Sequence, residues 1–220
     1  MFAGFNDATI QYYISIGQCN TRENHKRNEM LYLEGIKQPL EELYYELLAF
    51  FSCYDKDLLG DKRRCISSAY NDARFCCNEP IKEYFYIRFK LPAPEKKNAL
   101  GFYLDGSLSG YKYGLQIYKA DAAGMERIRK ELLKNREQSL KIAEAILLDN
   151  RIITVGEKYK NSVYLSEDER LRDWLDRKQI GFCYEAEPNE SFFERVLLEN
   201  MKETFETLKE VYFLFKKALL

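Results

Sequence analysis

One stretch of the chain, residues 65–118, constrains the fold more than any other because its residue types alternate with a period of two. Successive residues of a β-strand point to opposite faces of a sheet, so this alternation predicts strands with one apolar and one polar face. Four strands are predicted in this way, over residues 65–75, 84–91, 99–105 and 110–118. Their connections are short, which favours antiparallel pairing.

The rest of the chain repeats its apolar side chains at helical spacing instead. This spacing predicts helices over residues 38–51, between residues 121 and 150, and for about 28 residues after Ser191. The chain is therefore predicted to be an α+β protein, with an antiparallel sheet of about four to six strands packed against several α-helices and a long C-terminal helix. No linker, repeat or low-complexity tract interrupts the sequence, so residues 1–220 are predicted to form a single α+β domain.

Charge and motif content narrow the class of partner. The 34 Lys and Arg residues nearly balance the 35 Asp and Glu residues, for a formal net charge of −1, so nucleic acid is not expected as a partner. The six cysteines form no C-x-x-C pair and His25 is the only histidine, so we expect neither a metal site nor a cofactor. No phosphate-binding glycine loop or nucleophile motif occurs.

Two further observations concern location. The N-terminus has neither the basic region nor the apolar run of a signal peptide. No apolar segment approaches the roughly 20 residues that a membrane helix needs. We therefore expect a cytoplasmic protein without a membrane partner.

The polar side of the alternating stretch is rich in tyrosine and charge. Its members, in chain order, are Tyr70, Asp72, Arg74, Tyr84, Tyr86, Arg88, Tyr103, Asp105, Lys112, Gln116 and Tyr118. The opposite side carries aromatic and aliphatic residues, Phe75 among them, and should pack on the helices.

Several interpretations of this polar face stay open. In the first interpretation, it is a solvated sheet face with cross-strand pairs, as in a structural or interaction scaffold without a small ligand. Alternatively it forms a concave site, in which Arg74, Arg88 or Lys82 holds a small anionic ligand or an acidic segment of a partner protein. A third interpretation is a platform on which single-stranded RNA bases stack, but the balanced charge disfavours it.

Enzymatic alternatives rest on fewer residues. Asp72 is a candidate for acid/base or hydrolytic chemistry with Arg74 as electrostatic stabiliser, provided that the carboxylate lies in a cleft. His25 close to Glu23 is a candidate general base, although a histidine in so polar a segment is expected at the surface. No catalytic residue is assigned.

A family resemblance follows from residues 71–76, N-D-A-R-F-C, and from Pro80 and Lys82 after them. This segment resembles the R-D-x-R-F-S…D-K-x-P-Y-K signature of domain of unknown function family 2461, a family of bacterial and fungal conserved hypothetical proteins. Further segments are similar in the same order: N-T-R-E at residues 20–23, G-F-Y at 101–103, G-L-Q-I-Y at 114–118, and Met125 with Ile128 and Arg129.

The resemblance implies a single α+β domain and a shared structure or site that includes Asp72, Arg74, Lys82, Tyr103, Tyr118 and Arg129, but it implies no reaction. The chain departs from the family pattern at Asn24, His25, Asn78, Glu79 and Ile81. With Arg88 from the polar face, the candidate ligand-binding residues are Asp72, Arg74, Lys82, Arg88, Tyr103 and Tyr118.

Overall fold

The computed structural model describes residues 1–58, 60–74, 76, 78–93 and 97–220. Within them the chain is an α+β protein with one antiparallel sheet, as its sequence predicts. Phe75, which the alternation assigns to the apolar face, lies outside the described residues.

Helices occupy both ends of the chain. The N-terminal elements are α1 (Asp7–Gln18), α2 (Arg22–Arg27), α3 (Glu29–Tyr32), a π-helical turn (Leu33–Lys37), α4 (Gln38–Ser52), a 3₁₀ turn (Lys56–Leu58) and α5 (Lys62–Cys65). The later elements are α6 (Ala122–Lys134), α7 (Arg136–Leu148), α8 (Glu169–Leu175), a 3₁₀ turn (Glu190–Phe193), α9 (Val196–Thr207) and α10 (Lys209–Leu219). Helix α4 begins at Gln38, where a proline in the first turn predicts a start.

The strands are β1 (Tyr84–Lys90), β2 (Ala99–Ser107), β3 (Gly110–Tyr118), β4 (Ile153–Val155) and β5 (Gly181–Ala186). In the described residues they form a five-stranded sheet in the order β1-β2-β3-β5-β4. β4 pairs with β5 in antiparallel register, with Thr154 opposite Phe182. The predicted antiparallel sheet of about four to six strands is therefore confirmed.

The first predicted strand, over residues 65–75, is wrong. α5 ends at Cys65, and the described residues among 66–74 form two isolated bridges in place of a strand, Ile66 with Ile87 and Tyr70 with Ile81. The chain then turns at Asp72, whose carbonyl accepts a hydrogen bond from the Cys76 amide at 3.1 Å. Asp and Asn favour such turns because their side chains bond to nearby backbone groups, and these bonds compete with strand pairing. A period-two alternation of residue types does not reveal this competition.

The alternation of β1 is confirmed, whereas that of β2 fails at Tyr103. Phe85, Ile87 and Phe89 of β1 are each 1% exposed, while the residues between them are more accessible. Tyr103 was predicted on the polar face, yet it is buried. The residues of β2 from Ala99 to Leu104 are all buried, so side chains on both faces of this part of the strand are covered.

Contacts group the chain into two compact units. The first consists of Met1–Phe89, Tyr103–Lys112 and Glu185–Lys202, and the second of Lys90–Phe102, Tyr113–Tyr184 and Glu203–Leu220. Each unit is assembled from three separate chain segments. The single domain over residues 1–220 stays a prediction.

The first unit has an aromatic core. The ring of Phe5 stacks on Phe192 at 4.7 Å between centroids and contacts Phe85 at 4.5 Å. The carboxylate of Glu46 in α4 accepts hydrogen bonds from Arg195 at 2.9 and 3.2 Å, just before α9. These contacts join the N-terminal helices to residues far along the chain.

The second unit packs α6 against α10. Phe102 contacts Phe205 at 4.9 Å, and Trp174 contacts Phe182 at 5.0 Å. The buried Arg129 donates hydrogen bonds to the carbonyls of Leu175 and Arg177 at 2.9 and 2.8 Å, so this residue of the family pattern holds the end of α8.

The C-terminal helix starts later than the sequence predicts and is not continuous. Residues 190–193 form a 3₁₀ turn in place of a first helical turn, because Phe192 is fixed in the aromatic core and its carbonyl accepts from the Phe5 amide at 3.0 Å. Leu208 then separates α9 from α10.

Candidate functional site

A polar cavity of about 650 Å³ lies in the first unit, where β2 and β3 meet at their turn. Its lining combines two cations (Arg88, Lys112), three carboxylates (Asp105, Glu185, Glu187), two serines (Ser107, Ser109), two tyrosines (Tyr84, Tyr111), and Gly106, Gly110 and Ala186. The volume is in the range of small-molecule sites. We refer to this space as the polar cavity.

The hairpin between β2 and β3 forms one end of the polar cavity. Leu108 and Ser109 connect the strands, within the segment where the sequence predicts a hairpin. The hydroxyl oxygens of Ser107 and Ser109 lie 2.9 Å apart, and both residues line the cavity. Gly106 is required because a Cβ there would lie 2.3 Å from the ring of Phe85.

Arg88 is held in a defined orientation at the cavity wall. Its Nη2 and Nε donate to Oδ1 of Asp105 at 2.9 and 3.2 Å, across β1 and β2. Its guanidinium lies 3.9 Å from the ring centroid of Tyr86, a cation–π contact that contributes roughly 0.5–1 kcal/mol. Both partners of the ion pair are about three-quarters buried, so water screens it less than a surface pair. Two contacts therefore fix the guanidinium before any ligand arrives.

The remaining charges of the lining are exposed. Lys112 projects from β3, and Glu185 and Glu187 lie at the end of β5. Because Arg88 and Asp105 neutralise each other, these three residues set the net charge around the opening at −1. The polar cavity thus offers cationic donors and anionic acceptors to one small molecule.

The structure brings together only part of the predicted site. Of the six candidate ligand-binding residues, Arg88 lines the polar cavity, and the described lining contains none of the other five. The other five lie in the turn at Asp72, beside that turn, or in β2 and β3.

Asp72 and Arg74 form a local pair on the surface. Arg74 Nε and Nη2 donate to the two carboxylate oxygens of Asp72 at 2.9 and 2.5 Å, and the Arg74 amide donates to Oδ1 at 3.1 Å. The Arg74 guanidinium and this amide hold the pKa of the Asp72 carboxyl below its usual range. A carboxylate held in its ionised form by its own turn is a poor acid or base at neutral pH.

Lys82 bonds to the segment that precedes the turn at Asp72. Its Nζ donates to the carbonyl and hydroxyl oxygens of Ser68 at 2.9 and 3.1 Å, and to the carbonyl of Tyr70. Burial lowers the pKa of this ammonium group. The side chain adds to the backbone pairing of this segment, in which the Lys82 amide donates to the Ala69 carbonyl at 2.8 Å.

The two candidate tyrosines have different surroundings. Tyr103 is 4% exposed within the first unit. Tyr118 belongs to the second unit, where Lys90 Nζ lies 4.8 Å from its ring centroid. Their rings therefore contribute packing at these positions.

His25, which was expected at the surface, is buried. Its Nδ1 is 2.9 Å from the hydroxyl oxygen of Tyr12, and the rings of Tyr32 and Tyr70 pack edge-on at 5.3 and 5.2 Å. Burial lowers the pKa of His25. The prediction of a surface position is wrong because the His25 side chain of α2 packs against tyrosines from other segments of the chain.

Sequence reasoning missed several residues of the polar cavity. Glu185 and Glu187 lie at the end of β5, and the sequence does not show that this strand lies beside β3. Ser107 and Ser109 lie in the short connection between two predicted strands, which indicates a turn and does not indicate a binding site. Alternation assigns Tyr84 and Lys112 to the polar face. It does not show that they line a cavity.

Within the described residues, no group of three or more His, Cys, Asp or Glu side chains is placed to hold a metal ion. In that same part of the chain, every helix is too short or too polar to cross a lipid bilayer.

The fold and site together define an α+β protein with a polar cavity of mixed charge. The chain belongs to domain of unknown function family 2461, because the family model described as conserved hypothetical protein (DUF2461) matches residues 8–213. This match confirms the resemblance, and the family description names no activity. A comparison with curated proteins found no match.

Proposed function

We propose that this protein binds a small polar ligand in the polar cavity, and that Arg88 contacts an anionic group of that ligand. The orientation of Arg88 by Asp105 and Tyr86 carries the proposal. A fixed guanidinium recognises carboxylate or phosphate with little loss of side-chain entropy on binding. The other charged residues that line the polar cavity indicate which further groups the ligand carries.

Lys112 supplies a second cation, and Glu185 and Glu187 supply acceptors for hydroxyl or ammonium groups. The favoured ligand is therefore a small molecule with one anionic group and several hydrogen-bond donors. A cytoplasmic location, with neither nucleic acid nor membrane as partner, belongs to this proposal.

The geometry gives the enzymatic alternative at Asp72 no support, because that carboxylate is committed to Arg74 and to the turn amide. An acidic segment of a partner protein remains the second candidate for Arg88 and Lys112. The two exposed carboxylates at the opening favour the small molecule, because its hydroxyl or ammonium groups can donate to them, whereas the carboxylates of an acidic segment are repelled.

The proposal is tested by calorimetry and thermal shift with a panel of small carboxylates and phosphates that carry hydroxyl or amino groups, together with an acidic peptide. We expect at least one small molecule to bind, with Kd raised about tenfold or more in Arg88→Lys and in Lys112→Ala. Arg88→Lys keeps the charge beside Asp105 but loses the two-pronged geometry.

Arg64→Ala is the matched control, because it removes an exposed arginine of the same unit outside the cavity lining. If the whole panel leaves the melting temperature unchanged, or if ligands bind Arg88→Lys and Arg64→Ala equally well, the proposed site is wrong. Binding of the acidic peptide alone would select the second candidate.

A further inference from the structure

We propose that a groove between α7 and α8 docks an extended segment of a partner protein that carries aliphatic and basic side chains. The groove has a volume of about 380 Å³ and lies wholly within the second unit. It shares no residue with the polar cavity, so this inference does not depend on the proposed ligand.

The floor of the groove is apolar and already formed. Ile146, Ile152 and Trp174 line it with side chains that are nearly buried. Leu147, which also lines the groove, is 66% exposed, and the next residue of α7, Leu148, is 75% exposed. Clustered exposure of large aliphatic side chains beside a formed apolar pocket is typical of interaction sites.

The neighbouring strand favours an extended occupant. β4 is the last strand in the sheet order, so within the described residues β5 is its one strand partner. An edge strand presents backbone donors and acceptors to which an added strand can bond, while alternate side chains of that strand enter pockets. Ile153 of β4 is 45% exposed, and Thr154 lines the groove.

The rim charges favour a basic partner. Glu169 has a side chain that is 90% exposed, and Arg172 approaches it only at 3.9 Å. The cation of the lining, Arg170, is already held by Asp168 at 2.9 Å and by Glu144 at 3.2 Å. Asp173, the other carboxylate of the lining, is paired with Arg177 at 3.1 Å. Glu169 is therefore the rim charge with the weakest existing partner, and a lysine or arginine of the docked segment complements it.

Trp174 provides a direct readout because it is the only tryptophan of the chain and lines the groove. We suggest titrating the full chain with two capped pentapeptides, one of alternating valine and lysine and one of alternating valine and glutamate. We expect the valine–lysine peptide to shift the tryptophan emission and to bind with a Kd about tenfold or more below that of the valine–glutamate peptide. Glu169→Lys should reverse this preference, whereas Glu137→Lys, at the exposed far end of α7, should preserve it.

Three results would overturn the inference. The first is unchanged emission together with no calorimetric heat for either peptide. The second is that the Glu169→Lys and Glu137→Lys proteins bind the valine–lysine peptide with the same affinity. The third is a concentration-dependent doubling of mass that Ile153→Lys abolishes, which would make a second copy of this chain the occupant.

Discussion

At the scale of single residues, the charged side chains near the polar face fall into two groups. Some bond to backbone atoms, and one is held by an ion pair at the wall of the polar cavity. Asp72 accepts from the backbone of its own turn and Lys82 donates to a backbone carbonyl of Ser68, whereas Arg88 is held at a cavity wall by a neighbouring strand. Their residue types are equally suited to ligand binding. Their role is decided by which atoms lie within hydrogen-bond distance.

His25 gives a pH-dependent prediction at this scale. Burial lowers its pKa, so as the pH falls below about 6.5 the unfolded chain takes up a proton that the folded chain resists. The free energy of unfolding should therefore be constant above that pH and decrease below it, by at most about 1.4 kcal/mol per pH unit. Urea unfolding of the protein from about pH 7 to about pH 5 measures this slope.

The matched variant is His25→Gln, which removes the only histidine while keeping a polar side chain next to Tyr12. Its stability should not change with pH in that window, because carboxyl groups titrate below it. The carboxylate of Glu29 raises the pKa of His25 and so moderates the effect. Equal slopes in the two proteins would contradict the prediction.

At the scale of elements, the π-helical turn shows how a local irregularity serves packing. Asn6 Nδ2 donates to the Glu34 carbonyl at 3.1 Å, and Thr9 Oγ1 donates to the Gly35 carbonyl at 2.7 Å. The side chains at the start of α1 thus satisfy backbone groups of the turn. The polar composition of residues 19–37 did not predict these helices, because their stability comes from tertiary contacts more than from propensity.

Gly35→Ala should destabilise the protein. A Cβ at this position would lie 2.4 Å from the Thr9 amide nitrogen and 2.6 Å from the Ala8 carbonyl carbon, and both atoms belong to backbone that cannot move aside alone. We expect a loss of about 1–3 kcal/mol in the free energy of unfolding, measured by urea denaturation.

Gly17→Ala in α1 is the control for Gly35→Ala, because a Cβ there meets no heavy atom within 4 Å. It should stabilise the protein by about 0.5–1 kcal/mol through helix propensity. A Gly35→Ala protein as stable as Gly17→Ala would show that α1 and the turn are not packed this closely.

At the scale of the whole molecule, the chain alternates between the two units. Three segments build each unit, and β2, β3 and β5 each contribute residues to both. Neither unit is encoded by one continuous piece of sequence, so neither is expected to fold alone. We therefore propose that residues 1–220 act as one domain.

Calorimetry tests the single domain. We expect one thermal transition, with a calorimetric enthalpy equal to the van't Hoff enthalpy, because loss of either unit removes chain segments that the other needs. Two separate transitions, or a van't Hoff enthalpy well below the calorimetric value, would contradict the single domain.

The sequence by itself determined what depends on neighbours along the chain. Alternation determined β1 and the apolar side of β3, a proline and spaced leucines determined α4, and turn residues determined the hairpin that ends the polar cavity. It also assigned Arg88 to the polar face, since that residue lies on the more accessible side of an alternating strand. These features follow from local geometry, so a short window of sequence contains their cause.

Only the tertiary structure decided which residues meet. It placed Glu185 and Glu187 beside the β2–β3 turn and buried His25 and Tyr103. The physical reason is that burial and ion pairing depend on segments that are distant in sequence, and their free energies outweigh local preference. The polar cavity is the product of those long-range contacts.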